Sequence, residues 1–203
     1  MATFGPTEIQ SGGDDADYDY QTYTEDGTVL TVGGDEGTAD EISAGWIWDI
    51  SAAISSGDTI NSATLTLVSD FSNDDCNVIV FAADEDNRSS WADSSGNRPA
   101  HASNTGPPET TANATASLSA AAGGTEYPIT VTSIVAEVVA RGGFGGHIGL
   151  IASQNSGTIE FLKLAAFENS TDNPSDLEID YTAAAGGLSI PIAAYHQNHL
   201  RNP

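Results

Sequence analysis

Asp84, Glu85, Asp86 and Asn87 follow one another where an apolar run ends, and Asn73, Asp74 and Asp75 sit in the turn before that run. Hard oxygen donors crowded into loops suit Ca²⁺. The D-x-[DN]-x-[DN]-G spacing of a dedicated calcium loop is missing. Asp84, Asp86 and Asn87 therefore stand as weak calcium candidates, and a solvated acidic loop is the simpler expectation. The same expectation holds for the segment GGDDADYDY (12–20).

Catalytic chemistry finds less purchase. The four histidines are His101, His147, His196 and His199, and none has an evident partner in the sequence. His196 and His199, at i and i+3, have the spacing of a metal pair, but they lie in an apolar terminal segment where contact with a partner is the expected role. No G-x-S-x-G nucleophile setting occurs. The 29 Asp and Glu residues offer many carboxylates, yet nothing singles out the pair that glycoside hydrolysis needs. GGFGG (142–146) lacks the following helix and lysine of a phosphate cradle. A protein without enzymatic activity or a cofactor is expected. For carbohydrate binding, Trp91, Tyr18, Tyr20 and Tyr23 are the candidate stacking platforms. Trp46 and Trp48 fall in a strand pattern and are expected in the core.

The charge balance narrows the partners. Five Lys+Arg face 29 Asp+Glu, a net charge of −24. Such a surface repels polyanions at long range, so neither nucleic acid nor an anionic membrane is an expected partner. High salt screens the self-repulsion, which fits a marine setting. One cysteine, Cys76, permits no internal disulfide. No run of ~18 apolar residues is present, and MATFGPTEIQ lacks the regions of a secretory signal, so synthesis in a host cytoplasm is expected.

These residues must be positioned by strands. Short alternating runs bounded by Gly, Asn and Asp recur, the all-β pattern. They are TVLTVGG (28–34), GWIWDI (45–50), TINSATLTLVSD (59–70), NVIVFAAD (77–84), HIGLIAS (147–153), IEFLKLAAF (159–167) and DLEIDYT (176–182). The expected core is Ile60, Leu65, Leu67, Val78, Val80, Ile148, Leu150, Phe161, Leu164 and Ile179. ITVTSIVAEVVARGG (129–143) departs from this pattern, with Ile134, Val135, Val138 and Val139 at i, i+1, i+4 and i+5. The spacing predicts one short helix across an open end of the sheets, with a strand as the alternative. Thr132 or Ser133 would cap its start and Gly142 would end it. Residues 85–126 are polar and loop-like, an excursion anchored by Trp91, with Leu118 marking a short strand. The expected organisation is an N-terminal arm (1–13), a sandwich (14–182), and a hinge with a C-terminal arm (183–203).

The order of segments resembles the DNRLRE-type β-sandwich modules, whose jelly-roll shape is related to carbohydrate-binding modules. The likeness rests on Trp48-Asp49-Ile50, on Ile60 through Leu67 (INSATLTL), on Thr130-Val131-Thr132, and on Pro174 through Tyr181 (PSDLEIDY). It covers most of residues 14–182. Thr130 departs from the family, which often has Asp before the helix. The resemblance implies an all-β, jelly-roll-like antiparallel sandwich with one short helix.

The last segment contrasts with the rest. AAAGGLSIPIAAYHQNHLRNP (183–203) contains no Asp or Glu, so the body holds all 29 acids and four of the five Lys+Arg. Ala-Ala-Ala-Gly-Gly reads as a flexible tether. An acid-free apolar segment on so acidic a protein points to a partner, with Leu188, Ile190, Pro191, Ile192, Tyr195, His196, His199, Leu200 and Arg201 as the contact residues. A sandwich with a terminal arm resembles the accessory virion proteins of tailed phages, such as decoration (cement) proteins and fibres. That likeness implies a structural role in the virion, attachment to the major capsid protein or other virion subunits, and a homo-oligomer, with a trimer at local threefold positions. The alternative is a carbohydrate-binding or host-adhesion (tail or head fibre) module.

Overall fold

A computed structural model describes residues 1–8, 14–19, 22–25, 27–34, 42–70, 75–155, 161–169 and 171–184. Twelve strands and one helix make up the regular structure: β1 (Ala2–Glu8), β2 (Asp15–Asp19), β3 (Thr22–Glu25), β4 (Val29–Gly33), β5 (Ile42–Asp49), β6 (Thr59–Val68), β7 (Cys76–Ala82), β8 (Ala114–Leu118), β9 (Glu126–Thr130), α1 (Thr132–Val139), β10 (His147–Gln154), β11 (Phe161–Ala165) and β12 (Asp176–Thr182). The smaller sheet has the order β1-β12-β6-β9. The larger has the order β11-β4-β5-β10-β7-β8, with β2 also on β5 and β3 on β2. All pairings are antiparallel.

Numbering β1, β5, β6, β7, β8, β9, β10 and β12 from one to eight, the sheets read 1-8-3-6 and 2-7-4-5. That alternation between sheets is the double Greek-key winding of a jelly roll. The expected all-β sandwich is therefore the observed architecture. Period-2 alternation sets the register: Leu177 sits opposite Leu65 and Ile179 opposite Ala63, all facing inward. Trp46, Trp48, Val78, Val80, Ile148 and Leu150 meet them from the larger sheet.

The helix lies where its apolar spacing placed it, with Ile134, Val135, Val138 and Val139 buried. Its cap differs from expectation. Val131 holds the N-cap position without a side-chain bond, and the helix ends at Ala140 rather than Gly142. The Thr132 hydroxyl instead accepts the Ala63 N–H at 2.9 Å, while the Val131 N–H donates to Ala63 O. These bonds to β6 fix the start of the helix on the sandwich.

Two further expectations change. Residues 2–8 do not form a free arm; they pair with β12 from Ala2↔Tyr181 to Glu8↔Asp176, and Phe4 packs on the core. Ladder hydrogen bonds to a central strand draw that segment into the sheet. Phe161 is exposed rather than buried. Leu162 and Leu164 face the core instead, because inward residues alternate along β11 and Phe161 has the wrong parity. Ile60 is half-buried.

The larger sheet forks at β5. Its edge takes β2 along residues 42–46 but meets β4 only at Gly33↔Ile42. Two carboxylates span the gap: Asp17 Oδ2 accepts the Thr31 N–H at 3.0 Å and Asp15 Oδ2 accepts the Phe167 N–H at 2.9 Å. Both aspartates are buried. Side-chain acceptors thus satisfy backbone donors that a continuous ladder would have paired. Burial pushes the Asp17 carboxyl above its ordinary range, against the opposing hydrogen bonds from Thr31 and Thr24. A raised folded-state value means that this group's stabilising contribution is complete below the ordinary carboxylate range and is lost as pH rises through the folded value. Asp17→Asn keeps an acceptor for Thr31 and removes the ionisation. Thermal unfolding across pH 3–8 should give the variant a higher Tm than wild type at neutral pH, with the gap closing in acid.

Candidate functional site

Of the polar excursion expected over 85–126, residues 114–118 form β8 and Glu126 opens β9, while residues 84–113 form a third layer over the outer face of the larger sheet. The sheet makes room by lacking side chains. Gly45 on β5 and Gly149 on β10 lie under Trp91: a Cβ on Gly45 would fall 2.8 Å from Trp91 Cζ2 and 2.4 Å from Pro99 Cβ. One on Gly149 would fall 2.5 Å from Arg88 Cγ and 3.2 Å from Trp91 Cη2. Trp91 fills this trough at 2 % exposure and joins Ala16, Ile47, Phe81 and Ile151 in a second apolar cluster. The strands β5 and β10, and β7 at Phe81, are consequently buried on both faces.

Arginines pin the layer. Arg88, 3 % exposed, stacks on Trp91 with Cζ 5.1 Å from the ring centroid. Its Nη2 donates to Glu85 Oε1 (2.5 Å) and Gly96 O (3.0 Å), and its Nη1 to Asn97 Oδ1 (3.0 Å). Burial pushes the Arg88 guanidinium below its usual range, and Glu85 opposes that shift. Arg98 lies over the Tyr18 ring at 4.6 Å, donates to Tyr18 Oη at 2.9 Å, and reaches Asp93 Oδ1 through both Nε and Nη2. It also donates to Thr105 Oγ1, whose residue has a left-handed φ of 70°. For a β-branched residue that backbone is strained, and the bond from Arg98 helps to hold it. Arg141 comes from beyond α1 and bonds Asp84 and Asp86. His101 stacks on Phe81 with centroids 4.5 Å apart and meets Glu109 Oε1 at 3.0 Å.

This arrangement answers the candidates one by one. Trp91 and Tyr18 are buried, so neither offers a face to a sugar; the layer consumes both rings for its own attachment. Tyr23 is half-buried, and Tyr20 lies outside the described residues. Asp84 and Asp86 hold Arg141, and Asn87 Oδ1 meets His147 Nδ1 at 2.8 Å, so the three calcium candidates have protein partners. Gly143 packs on Asp86, where a Cβ would fall 2.1 Å from Oδ2. Among the described residues no group of three or more His, Cys, Asp or Glu is set to cage a metal. The C-terminal contact residues, Leu188 to Arg201, lie outside the described residues, as do Asn73 and Asp74. The described chain ends where the Ala184 N–H donates to Asp58 Oδ1 at 2.8 Å.

Two shallow polar hollows open on the surface. One of about 120 Å³ is lined by Glu85, Asn87, Arg88, Ser89, Ser90 and Asn97. The other, about 200 Å³, is lined by Asn77, Thr115, Ala116, Ser117 and Asn155. Small-molecule sites are larger and mostly apolar, roughly 300–1,000 Å³. The structure instead builds its most elaborate polar network for covering its own sheet.

Sequence reasoning found Trp91 as an anchor but missed Gly45, Gly149 and the three arginines. A glycine inside a strand marks close backbone approach, and both GWIWDI and HIGLIAS displayed one. The arginines carried a signal too, since a chain with five Lys+Arg places three of them at 88, 98 and 141.

No protein-family model matches the chain, and no curated protein sequence matches it. The DNRLRE likeness therefore rests on the residues quoted for it.

The packing sets a stability hierarchy. Gly45→Ala should cost about 1–3 kcal/mol through overpacking, and Trp91→Ala about 3–5 kcal/mol, in urea titrations. Gly142→Ala, which meets nothing within 4 Å, is the control. Limited proteolysis should cut Trp91→Ala first within residues 84–113.

Proposed function

We propose that the protein is a non-enzymatic structural component of a phage virion, a capsid decoration or cement protein attached through its C-terminal arm. One contrast carries this reading: an acidic sandwich whose larger sheet is covered by its own residues 84–113, joined to an acid-free segment with apolar anchors. The described arginines are all committed to pinning residues 84–113. A body with net charge 4 − 29 = −25 keeps copies apart in solution. Attachment then falls to the segment that lacks acids, Leu188 to Arg201, acting on the major capsid protein or a neighbouring virion subunit.

The covered outer face of the larger sheet bears on the sugar-binding alternative. With Trp91 and Tyr18 buried, a glycan would need a different platform.

Truncation after Ala184 retains the Asp58 bond and removes the arm. The shortened protein should unfold at the same temperature as the full chain and show no occupancy on expanded capsids in a sedimentation assay. Undiminished occupancy would refute arm-mediated attachment.

A further inference from the structure

A jelly roll leaves sheet edges, and an exposed edge is a template for another strand unless something guards it. Most edges here are guarded. On β1, Gly5 takes a φ of 83°, Pro6 has no N–H, and the register shifts between Phe4 and Thr7. On β9, Pro128 and Glu126 occupy the edge. β11 is partly covered, since Ser69 bridges Leu164 and the Asp70 N–H donates to Lys163 O. β3 is four residues long and ends in Glu25.

β8 differs. It pairs with β7 from Cys76↔Leu118 to Val80↔Ala114, and among the described residues no strand pairs with its other side. It carries no proline, glycine or register shift. In a chain of 29 acids, residues 110–125 hold no charge at all. Its approaches are held in place: Glu137 accepts the Thr111 and Ala112 N–H groups at 2.7 Å each, and the Tyr127 hydroxyl donates to Ser119 O at 3.0 Å. Thr115 and Ser117 of β8 itself are exposed, lining the larger polar hollow with Asn77 and Asn155. The result is a short edge with no charged residue of its own, held at its two ends by the carboxylates of Glu137 and Asp75.

We infer that this edge is a β-addition site, and that its occupant is the acid-free C-terminal segment of a second copy of this chain. Main-chain ladder bonds give such an interaction its affinity. The body's charge excludes acidic strands, whereas residues 185–203 carry none and add Arg201. From Ala184, those nineteen residues reach up to roughly 60–70 Å when extended. IAAYHQ (192–197) follows Pro191 and offers an unbroken run of N–H donors. Copies so linked exchange arms, which builds an oligomer without bringing two anionic surfaces into broad contact. The inference rests on the arm-docking reading and names one of its partners.

The test uses the full chain, the protein truncated after Ala184, and a synthetic peptide of residues 186–203. Light scattering after gel filtration should show the full chain as an oligomer and the truncated form as a monomer. The fluorescently labelled peptide should bind the truncated protein, and T115K/S117K should weaken it at least tenfold while leaving Tm unchanged. Peptides N-methylated at alternate residues of 192–197 should lose binding in one parity and keep it in the other, a signature that side-chain packing does not give. Peptide binding indifferent to T115K/S117K, or no binding, overturns the assignment. A monomeric full chain whose truncated form still binds peptide places the arm on its own edge and refutes exchange. Capsid occupancy separates the two readings: a T115K/S117K protein that stays oligomeric and still decorates capsids leaves the attachment reading intact and removes only this one.

Discussion

Burial of β5 and β10, and of β7 at Phe81, on both faces is the constraint from which most of the remaining structure follows. A sandwich strand ordinarily shows one face to solvent and can be polar there. Here the outer face holds Ile47, Phe81 and Ile151, which need cover. Residues 84–113 provide it, and Trp91 fits because Gly45 and Gly149 have no side chains in its way. Everything polar in the layer then has to be arranged around a buried indole and a buried guanidinium.

Electrostatics serves that layer before it serves any partner. Arg88, Arg98 and Arg141 each pair with a carboxylate of the same short stretch: Glu85, Asp93, and Asp84 with Asp86. Buried pairs are weak evidence for stability by themselves, and the contact of Arg88 with Trp91 and with Asn97 and Gly96 is what makes its burial tolerable. Asp84, Glu85 and Asp86, which the sequence offered as metal ligands, are counter-ions of the protein's own arginines. With these cations committed inside the layer, the charge left over is almost purely anionic.

The two forms of backbone satisfaction at the sheet margins belong to the same picture. At the fork, Asp15 and Asp17 supply acceptors where β4 leaves β5. Beside α1, Glu137 takes two N–H groups just before β8 begins. Both devices use carboxylates, the commonest charged groups in this chain, and both define where pairing stops. Between the Glu137 bonds and Ser119 lies one stretch of edge without charged residues.

Local pattern alone determined the all-β class, seven of the strands, the helix and its four buried residues. Each depends on periodicity, which burial of one face imposes directly on the sequence. Parity at β11 escaped, because Phe161 and Leu162 are both apolar and only packing against the smaller sheet decides which turns inward. The strand at residues 2–8 escaped as well, since GPT within it reads as a break and its pairing with β12 spans almost the whole chain. Trp91 could be recognised as an anchor, but not as buried: that depends on two glycines meeting across the β5–β10 pair, a juxtaposition no local run encodes. The acid-free terminus was visible in the sequence from the start. Which edge stands open to receive a strand was decided only by the tertiary structure, because an edge exists only once every other strand has found its neighbour.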